Sequence, residues 1–321
     1  MIARPASPRH ASGVALVTVL LVVAIVTTVC AGVVARQHLL IRLAGNQLHS
    51  RQAWHYALGG ERLALAELAR DGRERDHRGD AWAARFPSWP VEGGAVAVRV
   101  EDLAGRFNLN ALVRDGIPDT RAIARFKRLL QSNEIDPRFA ARLADWVDPD
   151  SIPTRPGGAE DAEYLRKVPA HRAANRPLQD VSELRLLGLD DAAYRRLAPH
   201  VAALPGNAAL NINTADAEVL AALASNFSPA KARAVAAAQD NGGFSDVGAF
   251  LRHPAVRDSG IEPEGLAVAS AYYLITSEVI MSERRQVLAS TVRRASDGTV
   301  RVLRRDLGHN ATALPTLDTT P

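Results

Sequence analysis

The sequence predicts an α+β fold in which a long N-terminal helix packs on a small antiparallel sheet, and a large helical block interrupts that sheet. Three observations carry this prediction. A helical pattern without proline extends over Val14–Arg70. Val96, Val98 and Val100 alternate with other residues at the period of a half-buried strand. A second alternating group begins only at Tyr272, after a series of short helices.

The helix starts with an apolar run that is predicted to span a membrane over residues 14–35. No charged residue interrupts the run, and about 20 apolar residues in helical form cross a bilayer core. Arg4 and Arg9 precede it without an acidic residue, which places that end in the cytoplasm. A cleaved secretory signal has a shorter apolar core, and a lipoprotein cut before Cys30 would need smaller residues than Thr27-Thr28-Val29.

The composition is that of an ordinary globular protein. The chain has 321 residues, 47% of them hydrophobic, and a formal net charge of +4. Its basic residues are scattered, which indicates a solvated surface rather than a nucleic-acid patch. A single cysteine permits neither an intrachain disulfide nor a thiolate metal cluster within this sequence. The nine histidines are dispersed and the sequence has no Gly-x-Ser-x-Gly, so we do not expect an enzyme.

Beyond the membrane, the helix carries an apolar stripe that needs a partner surface. Leu58, Leu65 and Leu68 share one face at helical spacing. Gly59-Gly60 is the predicted weak point, because each glycine costs about 1 kcal/mol relative to alanine. Residues 71–80 are almost all charged, and we expect them to form a solvated turn or loop.

Residues 113–270 have the pattern of several short helices, predicted from capping residues and first-turn prolines. The expected helix starts are Thr120, Asp136-Pro137, Ser182, Asp190, Asn213 or Thr214, Ser228-Pro229 and Ser245. This block is predicted to be an all-helical insertion domain.

Strands return after residue 270, with a hairpin signal at Ser296-Asp297-Gly298. The strand near residue 98 has no partner nearby in sequence and must pair with them, since an isolated strand leaves backbone groups unsatisfied. The predicted organisation is a leader at 1–13, a membrane part at 14–35, helix and first strand at 36–112, the insertion at 113–270, C-terminal strands at 271–308 and a disordered tail at 309–321.

The start of the apolar run resembles the processing site of type IV pilin-like proteins. Ser12-Gly13 is followed directly by Val-Ala-Leu-Val. In that family a prepilin peptidase cuts after the glycine, so the resemblance implies Gly13 and Val14 as processing residues and a methylated Val14 amino terminus. Such proteins usually carry Glu at the fifth mature position, which here is Thr18. A plain membrane anchor is the alternative for this stretch. A membrane-rooted helix on a small sheet is also the pilin-like architecture.

Several segments together resemble the general secretion pathway protein K family, the large minor pseudopilins of bacterial type II secretion. They are residues 101–110 (EDLAGRFNLN), 145–150 (DWVDPD), 158–161 (GAED), 174–178 (ANRPL), 182–184 (SEL) and 211–215 (NINTA). Their order and spacing extend the resemblance over residues 13–308. This family also lacks the usual Glu, so Thr18 agrees with it.

The resemblance implies a structural role at the tip of a short periplasmic pseudopilus. Such a protein is anchored in the inner membrane by one span and helps initiate or cap the fibre during export of folded proteins across the outer membrane. The implied partners are the I and J minor pseudopilins, the pseudopilus, the inner membrane and the prepilin peptidase.

A loop broken by proline and glycine concentrates six carboxylates, those of Asp145, Asp148, Asp150, Glu160, Asp161 and Glu163. They repel one another, and a hard divalent cation such as calcium would resolve this. The family resemblance also implies calcium in this domain. The expected ligands are Asp148, Asp150, Glu160 and Asp161, with Asn175 as a further candidate. The alternative is an acidic loop that faces water beside Arg155, Arg166 and Lys167.

Residues 211–244 resemble a degenerate helix-hairpin-helix module. Such modules clamp a phosphate with the backbone amides of a glycine-rich hairpin. Here residues 224–228 read ASNFS and both glycines are missing. We therefore expect a packing role and no nucleic acid. The alternative function is a membrane-anchored DNA receptor for DNA uptake, in which Lys231 and Arg233 would contact phosphate.

Overall fold

The computed structural model describes residues 11–72, 74–84, 86–240, 242–281 and 284–307. The α-helices are α1 (Ala11–Arg70), α2 (Thr120–Ser132), α3 (Phe139–Val147), α4 (Asp161–Tyr164), α5 (Asp191–Leu197), α6 (Ala217–Ala221), α7 (Pro229–Gln239) and α8 (Val247–Arg252). The strands are β1 (Trp89–Val91), β2 (Gly94–Asp102), β3 (Phe107–Asn108), β4 (Val113–Arg114), β5 (Ile117–Pro118), β6 (Val201–Ala202), β7 (Leu210–Asn211), β8 (Leu266–Ala267), β9 (Tyr272–Met281), β10 (Arg284–Arg294) and β11 (Val300–Asp306). Short 3-10 helices span Leu109–Leu112, Val181–Arg185 and Ala198–His200. The predicted tail at 309–321 and most of the leader lie outside the described residues.

Helix α1 is continuous over 60 residues, as the sequence predicts. The chain divides into two compact units, Met1–His55 and Tyr56–Pro321, and α1 contributes to both. Within the described residues, α1 is the one helix that is long and apolar enough to cross a membrane, by length and composition. It indicates that the chain is anchored in a membrane by a single span.

The main sheet of the second unit has five antiparallel strands in the order β1-β2-β9-β10-β11. Strand β2 pairs with β9 so that Val98 lies opposite Ser277. Strand β10 pairs with both β9 and β11, and its hairpin with β11 closes at the predicted Ser296-Asp297-Gly298 turn. The predicted pairing across the helical block is therefore confirmed. Strand β2 ends at Asp102 and β9 begins at Tyr272, so residues 103–271 lie between two strands that are neighbours in the sheet.

The part of α1 in the second unit packs on this sheet through small residues rather than through the leucine stripe alone. Ala57, Ala64 and Leu68 are buried, whereas Leu58 and Leu65 are only partly buried. Gly60 lies on the same face, where an added Cβ would come within 2.7 Å of Val98 Cγ2. Small side chains let the helix axis approach the strands closely, so the buried face is shifted from the predicted one.

Three helices of the block are capped by an aspartate rather than by the predicted residue, and two of them, α6 and α8, begin later than predicted. The carboxylates of Asp119, Asp216 and Asp246 accept backbone N–H groups at the starts of α2, α6 and α8. Thr120, Asn213, Thr214 and Ser245 were the predicted starts. An aspartate carboxylate reaches the free amides of the first turn as well as a hydroxyl does, and sequence alone does not choose between neighbouring candidates.

The other predicted starts agree better with the structure. Asp190 and Ser228 cap α5 and α7, as predicted. Helix α3 begins only at Phe139, because Asp136 instead accepts a hydrogen bond from the Arg138 backbone in a preceding turn. The block is also not purely helical, since β3 pairs with β6 and β7 with β8 in two short parallel ladders.

The prediction of a solvated loop at residues 71–80 is wrong for Asp76. Its side chain is fully buried, and both of its carboxylate oxygens accept hydrogen bonds from Arg294 Nη2, at 2.5 and 2.6 Å. Tyr273 Oη and the Ser270 backbone N–H also donate to Asp76, each at 2.7 Å. The segment turns inward because these donors converge on one carboxylate from distant parts of the chain.

His200 is the last residue of the 3-10 helix Ala198–His200, and its side chain contacts the start of α6. Its Nδ1 lies 2.6 Å from Asp216 Oδ2, and its Nε2 lies 3.2 Å from Glu218 Oε2. The hydrogen bond to Asp216 and the two nearby negative charges raise the pKa of His200. A histidine pKa that is raised by folding adds stability below the unfolded value, and this contribution disappears as the pH rises through the folded value.

We therefore expect His200→Gln to lower the free energy of unfolding. The loss should be larger at about pH 5.5 than at about pH 8.5. Urea unfolding of both proteins in detergent micelles, followed at the two pH values, measures this difference. His55→Gln replaces an exposed histidine of α1 and serves as the control. A wild-type advantage that stays constant or grows with pH would contradict the assignment.

Candidate metal centre in the inserted domain

The acidic loop begins where α3 ends. Asp148 is the residue after the helix, and its backbone N–H still donates to the Ala144 carbonyl at 2.9 Å. Pro149 then prevents another helical turn, because it lacks an N–H and its ring restricts the preceding residue. The chain therefore leaves the helix in extended conformation at Asp148, with φ −70° and ψ 158°.

Three of the predicted ligands meet in this loop. One carboxylate oxygen from each of Asp148, Asp150 and Glu160 lies within 4.8 Å of the other two. Asp148 and Glu160 are each 6% exposed, whereas Asp150 is exposed at the rim. The alternative of an acidic loop that simply faces water does not describe Asp148 and Glu160.

The buried oxygens of this cluster lack partners among the described residues. Asp148 Oδ1 and both Glu160 carboxylate oxygens accept no hydrogen bond, and neither does the side-chain oxygen of Asn175. Neither Asp148 nor Glu160 has a cationic side chain within salt-bridge distance in the part of the chain that the structure describes. Buried carboxylates without partners cost several kcal/mol, roughly, so the arrangement calls for a cation.

The pKa values of Asp148 and Glu160 are both raised, as expected for crowded, buried carboxylates. Burial, together with the charges of Asp150 and Asp145, raises the pKa of Asp148 to about 6. Burial and the four neighbouring carboxylates together raise the pKa of Glu160 to about 7. Without a cation, these two groups therefore hold protons at a much higher pH than ordinary carboxylates do. A calcium ion, which takes six to eight oxygen ligands, would replace those protons.

Asp145 supports the loop from α3. It is fully buried, and both of its oxygens accept the Thr154 backbone N–H, at 3.2 and 3.0 Å. Gly158 passes so close that an added Cβ would lie 2.1 Å from Asp145 Oδ2. This contact holds the two arms of the loop together. The sequence indicated Asp145 only as one of six acids, and its supporting role depends on a contact that the sequence does not show.

Of the other two predicted ligands, Asn175 lies beside the cluster and Asp161 does not belong to it. The Asp161 carboxylate accepts the Ala173 backbone N–H at 2.9 Å and pairs with Arg172 at 3.0 Å, so it is used outside the cluster. Asn175 lies beside the cluster, because its Nδ2 donates to the Asp150 carbonyl at 2.7 Å. Asp148, Asp150 and Glu160, with Asn175 next to them, are therefore the residues that fit a hard cation.

The predicted processing residues lie at the start of α1. Both Gly13 and Val14 are helical, and the Val14 side chain is exposed. Thr18 donates its hydroxyl to the Ala15 carbonyl at 2.9 Å, so this side chain is satisfied within its own helix.

The helix-hairpin-helix-like segment is used for packing. Its hairpin between α6 and α7 buries Leu223, Ala224 and Phe227 in the core of the inserted domain. The carbonyls of Ala222 and Leu223 accept hydrogen bonds from the Arg128 guanidinium of α2. These contacts show that the hairpin packs inward against α2.

Comparisons with known proteins agree on one family. Profiles described as "Type II secretion system (T2SS), protein K" match residues 105–206 and 210–269. The type II secretion system protein K of Pseudomonas aeruginosa is 48% identical over 320 residues and covers 96% of each chain. Its counterpart in Klebsiella pneumoniae is 36% identical and covers 85% of this chain and 89% of its own.

A solved structure matches most of this chain. It is a chain of the GspK-GspI-GspJ complex from the enterotoxigenic Escherichia coli type 2 secretion system. The match has a TM-score of 0.72 at 30% identity, and it covers 82% of this chain and 98% of that chain.

Proposed function

Since this chain belongs to the type II secretion system protein K family, we propose that it crowns the pseudopilus as its minor pseudopilin and helps initiate or cap the fibre during protein export. The observation that carries this proposal is the structural match to a chain of the GspK-GspI-GspJ complex, which includes 98% of that chain. The comparisons give no support to the alternative of a DNA receptor.

The size of the inserted domain supports the proposed tip position. Residues 103–271 interrupt the sheet between β2 and β9 and form a domain with its own core. A domain of this size has no room between closely stacked subunits, but it can sit at the end of a fibre. Thr18 also agrees with a place at the tip. A carboxylate at residue 18 would lie in lipid without a partner, which is costly, whereas a threonine carries no charge.

The expected partners are the I and J minor pseudopilins. A tagged full-length chain, solubilised in detergent from membranes that contain both proteins, should retain both on an affinity column. An unrelated tagged single-span membrane protein is the control. If the folded chain retains neither partner, the proposed assembly with the I and J proteins is wrong.

For localisation we propose that the chain is anchored in the inner membrane with its bulk in the periplasm. The basic residues Arg4 and Arg9 before the apolar run support a cytoplasmic start. Cleavage after Gly13 by a prepilin peptidase would leave Val14 as a methylated amino terminus. Mass spectrometry of the membrane-derived protein should show that terminus, and an intact Met1 would contradict cleavage.

We further propose that Asp148, Asp150 and Glu160 bind calcium, with the side-chain oxygen of Asn175 as a further ligand. Their support is the set of buried oxygens without partners described above. A bound ion would supply positive charge to three carboxylates and would hold the end of α3 next to the start of α4.

Calcium is expected to stabilise the wild-type chain in detergent by about 2.7 kcal/mol when its concentration is a hundred times the Kd. The reason is that the native state alone brings the ligands together. Thermal unfolding with added calcium and with a chelator measures the shift. Glu160→Gln and Asp148→Asn should reduce it strongly, whereas Asp258→Asn, an exposed change elsewhere, should not. Equal unfolding with calcium and with chelator would refute the metal site.

A further inference from the structure

A separate pocket in the inserted domain is rich in arginine. It has a volume of about 80 Å³ and lies where the first turns of α2 meet β3 and the chain around residues 204–210 and 264–265. Four arginines line it, namely Arg106, Arg114, Arg121 and Arg125. One water molecule occupies roughly 30 Å³ in the liquid, so the pocket has room for an ion of several heavy atoms.

Arg125 is the buried member of this group. It is 9% exposed, and its Nε has no hydrogen-bond partner. Its Nη1 and Nη2 donate to the backbone carbonyls of Glu264 and Glu262, both at a long 3.4 Å. A guanidinium has five N–H donors. Most of the donors of Arg125 are therefore unused, and carbonyl groups do not neutralise its charge.

The carboxylates around the pocket are occupied by other partners. Asp119 caps α2 with one oxygen, and its other oxygen lies 3.4 Å from Arg114 Nε. Glu264 pairs with the exposed Arg121 at 3.3 Å. Glu101 pairs with Arg106 at 3.2 Å. Among the described residues, no carboxylate lies within salt-bridge distance of Arg125. A buried guanidinium without an anion is costly, which is why this charge calls for a ligand.

Two of the guanidinium groups converge on one open position beside Gly265. A Cβ added to this glycine would lie 3.8 Å from Arg114 Nη2 and 3.9 Å from Arg125 Nη1. Gly265 has φ +75°, a conformation in which other residues are rarely found. The absence of a side chain leaves both nitrogens accessible from the same side.

We propose that this pocket binds a small oxyanion, a phosphate or a carboxylate group, held by Arg125 and Arg114. Arginine forms paired, charge-assisted hydrogen bonds with both kinds of group, since its N–H donors match their oxygens in spacing. Burial and the neighbouring charges of Arg121 and Arg128 lower the pKa of Arg125, and the smaller opposing effect of Asp119 and Glu262 does not cancel this. A bound anion would offset that repulsion. The site is distinct from the acidic loop and does not depend on the metal binding proposed there.

The test is isothermal titration calorimetry of the full-length chain in detergent, in calcium-free buffer at constant ionic strength. Inorganic phosphate and succinate are the two probes. We expect saturable binding of at least one of them with a Kd of about 1 mM or tighter. Binding of phosphate alone assigns a phosphate ligand, and binding of succinate alone assigns a carboxylate ligand.

Arg125→Met replaces the aliphatic part of the arginine side chain with one of similar shape and removes the charge. It should weaken binding at least about tenfold. Arg114→Gln changes a half-exposed residue and should weaken binding several-fold in a folded protein, so it decides the question if Arg125→Met does not fold. Arg233→Gln, an exposed change on α7, is the charge-matched control and should bind as the wild type does. Absence of binding to both probes, or equal affinity of wild type and Arg114→Gln, overturns the proposal.

Discussion

Asp76→Ala is expected to lower the free energy of unfolding by about 3–5 kcal/mol, the largest effect of any single change considered for this protein. Asp76 is fully buried and accepts hydrogen bonds from Arg294, Tyr273 and the Ser270 backbone. The substitution leaves the Arg294 charge buried at 4% exposure, with the ion pair to Asp71 at 3.1 Å but without its bonds to Asp76. Thermal unfolding of the full-length chain in detergent should show a Tm lower by roughly 6 °C or more.

A double variant separates the loss of the ion pair from general damage at this site. Arg294→Met added to Asp76→Ala removes the buried charge that has lost its Asp76 partner, and it should recover part of the lost stability. Asp258→Ala is the matched control, because Asp258 is exposed and pairs with its exposed neighbour Arg257. We expect that control to change stability by less than about 0.5 kcal/mol. Equal losses in Asp76→Ala and Asp258→Ala would show that the buried pair has no special role.

Gly60→Val is expected to destabilise the chain by about 3 kcal/mol, at the upper end for overpacking. An added Cβ would lie 2.4 Å from Ser277 Oγ and 2.7 Å from Val98 Cγ2, and valine adds two methyl groups beyond it. Both contacts belong to central strands of the sheet, which cannot move away without breaking their ladder. Urea unfolding of the full-length chain in detergent measures the change.

The neighbouring glycine provides the matched control. An added Cβ at Gly59 meets no atom within 4 Å, and the residue is exposed. Valine has a higher helix propensity than glycine, so Gly59→Val should leave stability unchanged or raise it by a few tenths of a kcal/mol, roughly. Similar losses in both variants would mean that contact with the sheet does not decide the effect at Gly60.

Much of the fold could be predicted because its signals are local or depend on chain order. The apolar run and the helical spacing predicted α1, and the alternating valines predicted β2. The pairing of β2 with β9 followed from one physical requirement, that the backbone groups of an isolated strand need partners. The caps were predicted less well, because Thr120 and Asp119 are equally good candidates until the helix start is seen.

The candidate site was predicted only in part. The sequence located the acidic loop, but it could not show that Asp161 turns away to Arg172 while Asp148 and Glu160 become buried. The Arg125 pocket had no signal at all, since its lining residues come from four separate segments of the chain. The run of charged residues at 71–80 has the pattern of a solvated loop, and only the structure shows that Asp76 within it is buried.

By itself, the sequence determined the membrane helix, the order of the elements, the division of one sheet by an inserted domain and the resemblance to the protein K family. The tertiary structure alone decided that Asp76 meets Arg294, that Gly60 must stay without a side chain and that three of the six acids in the loop share one site. The physical reason is range. Helix and strand periodicity depend on residues a few positions apart. Burial, close approach and the partner of a charge depend on how the whole chain folds, and the residues in contact can be as distant in sequence as Asp76 and Arg294, which are 218 positions apart.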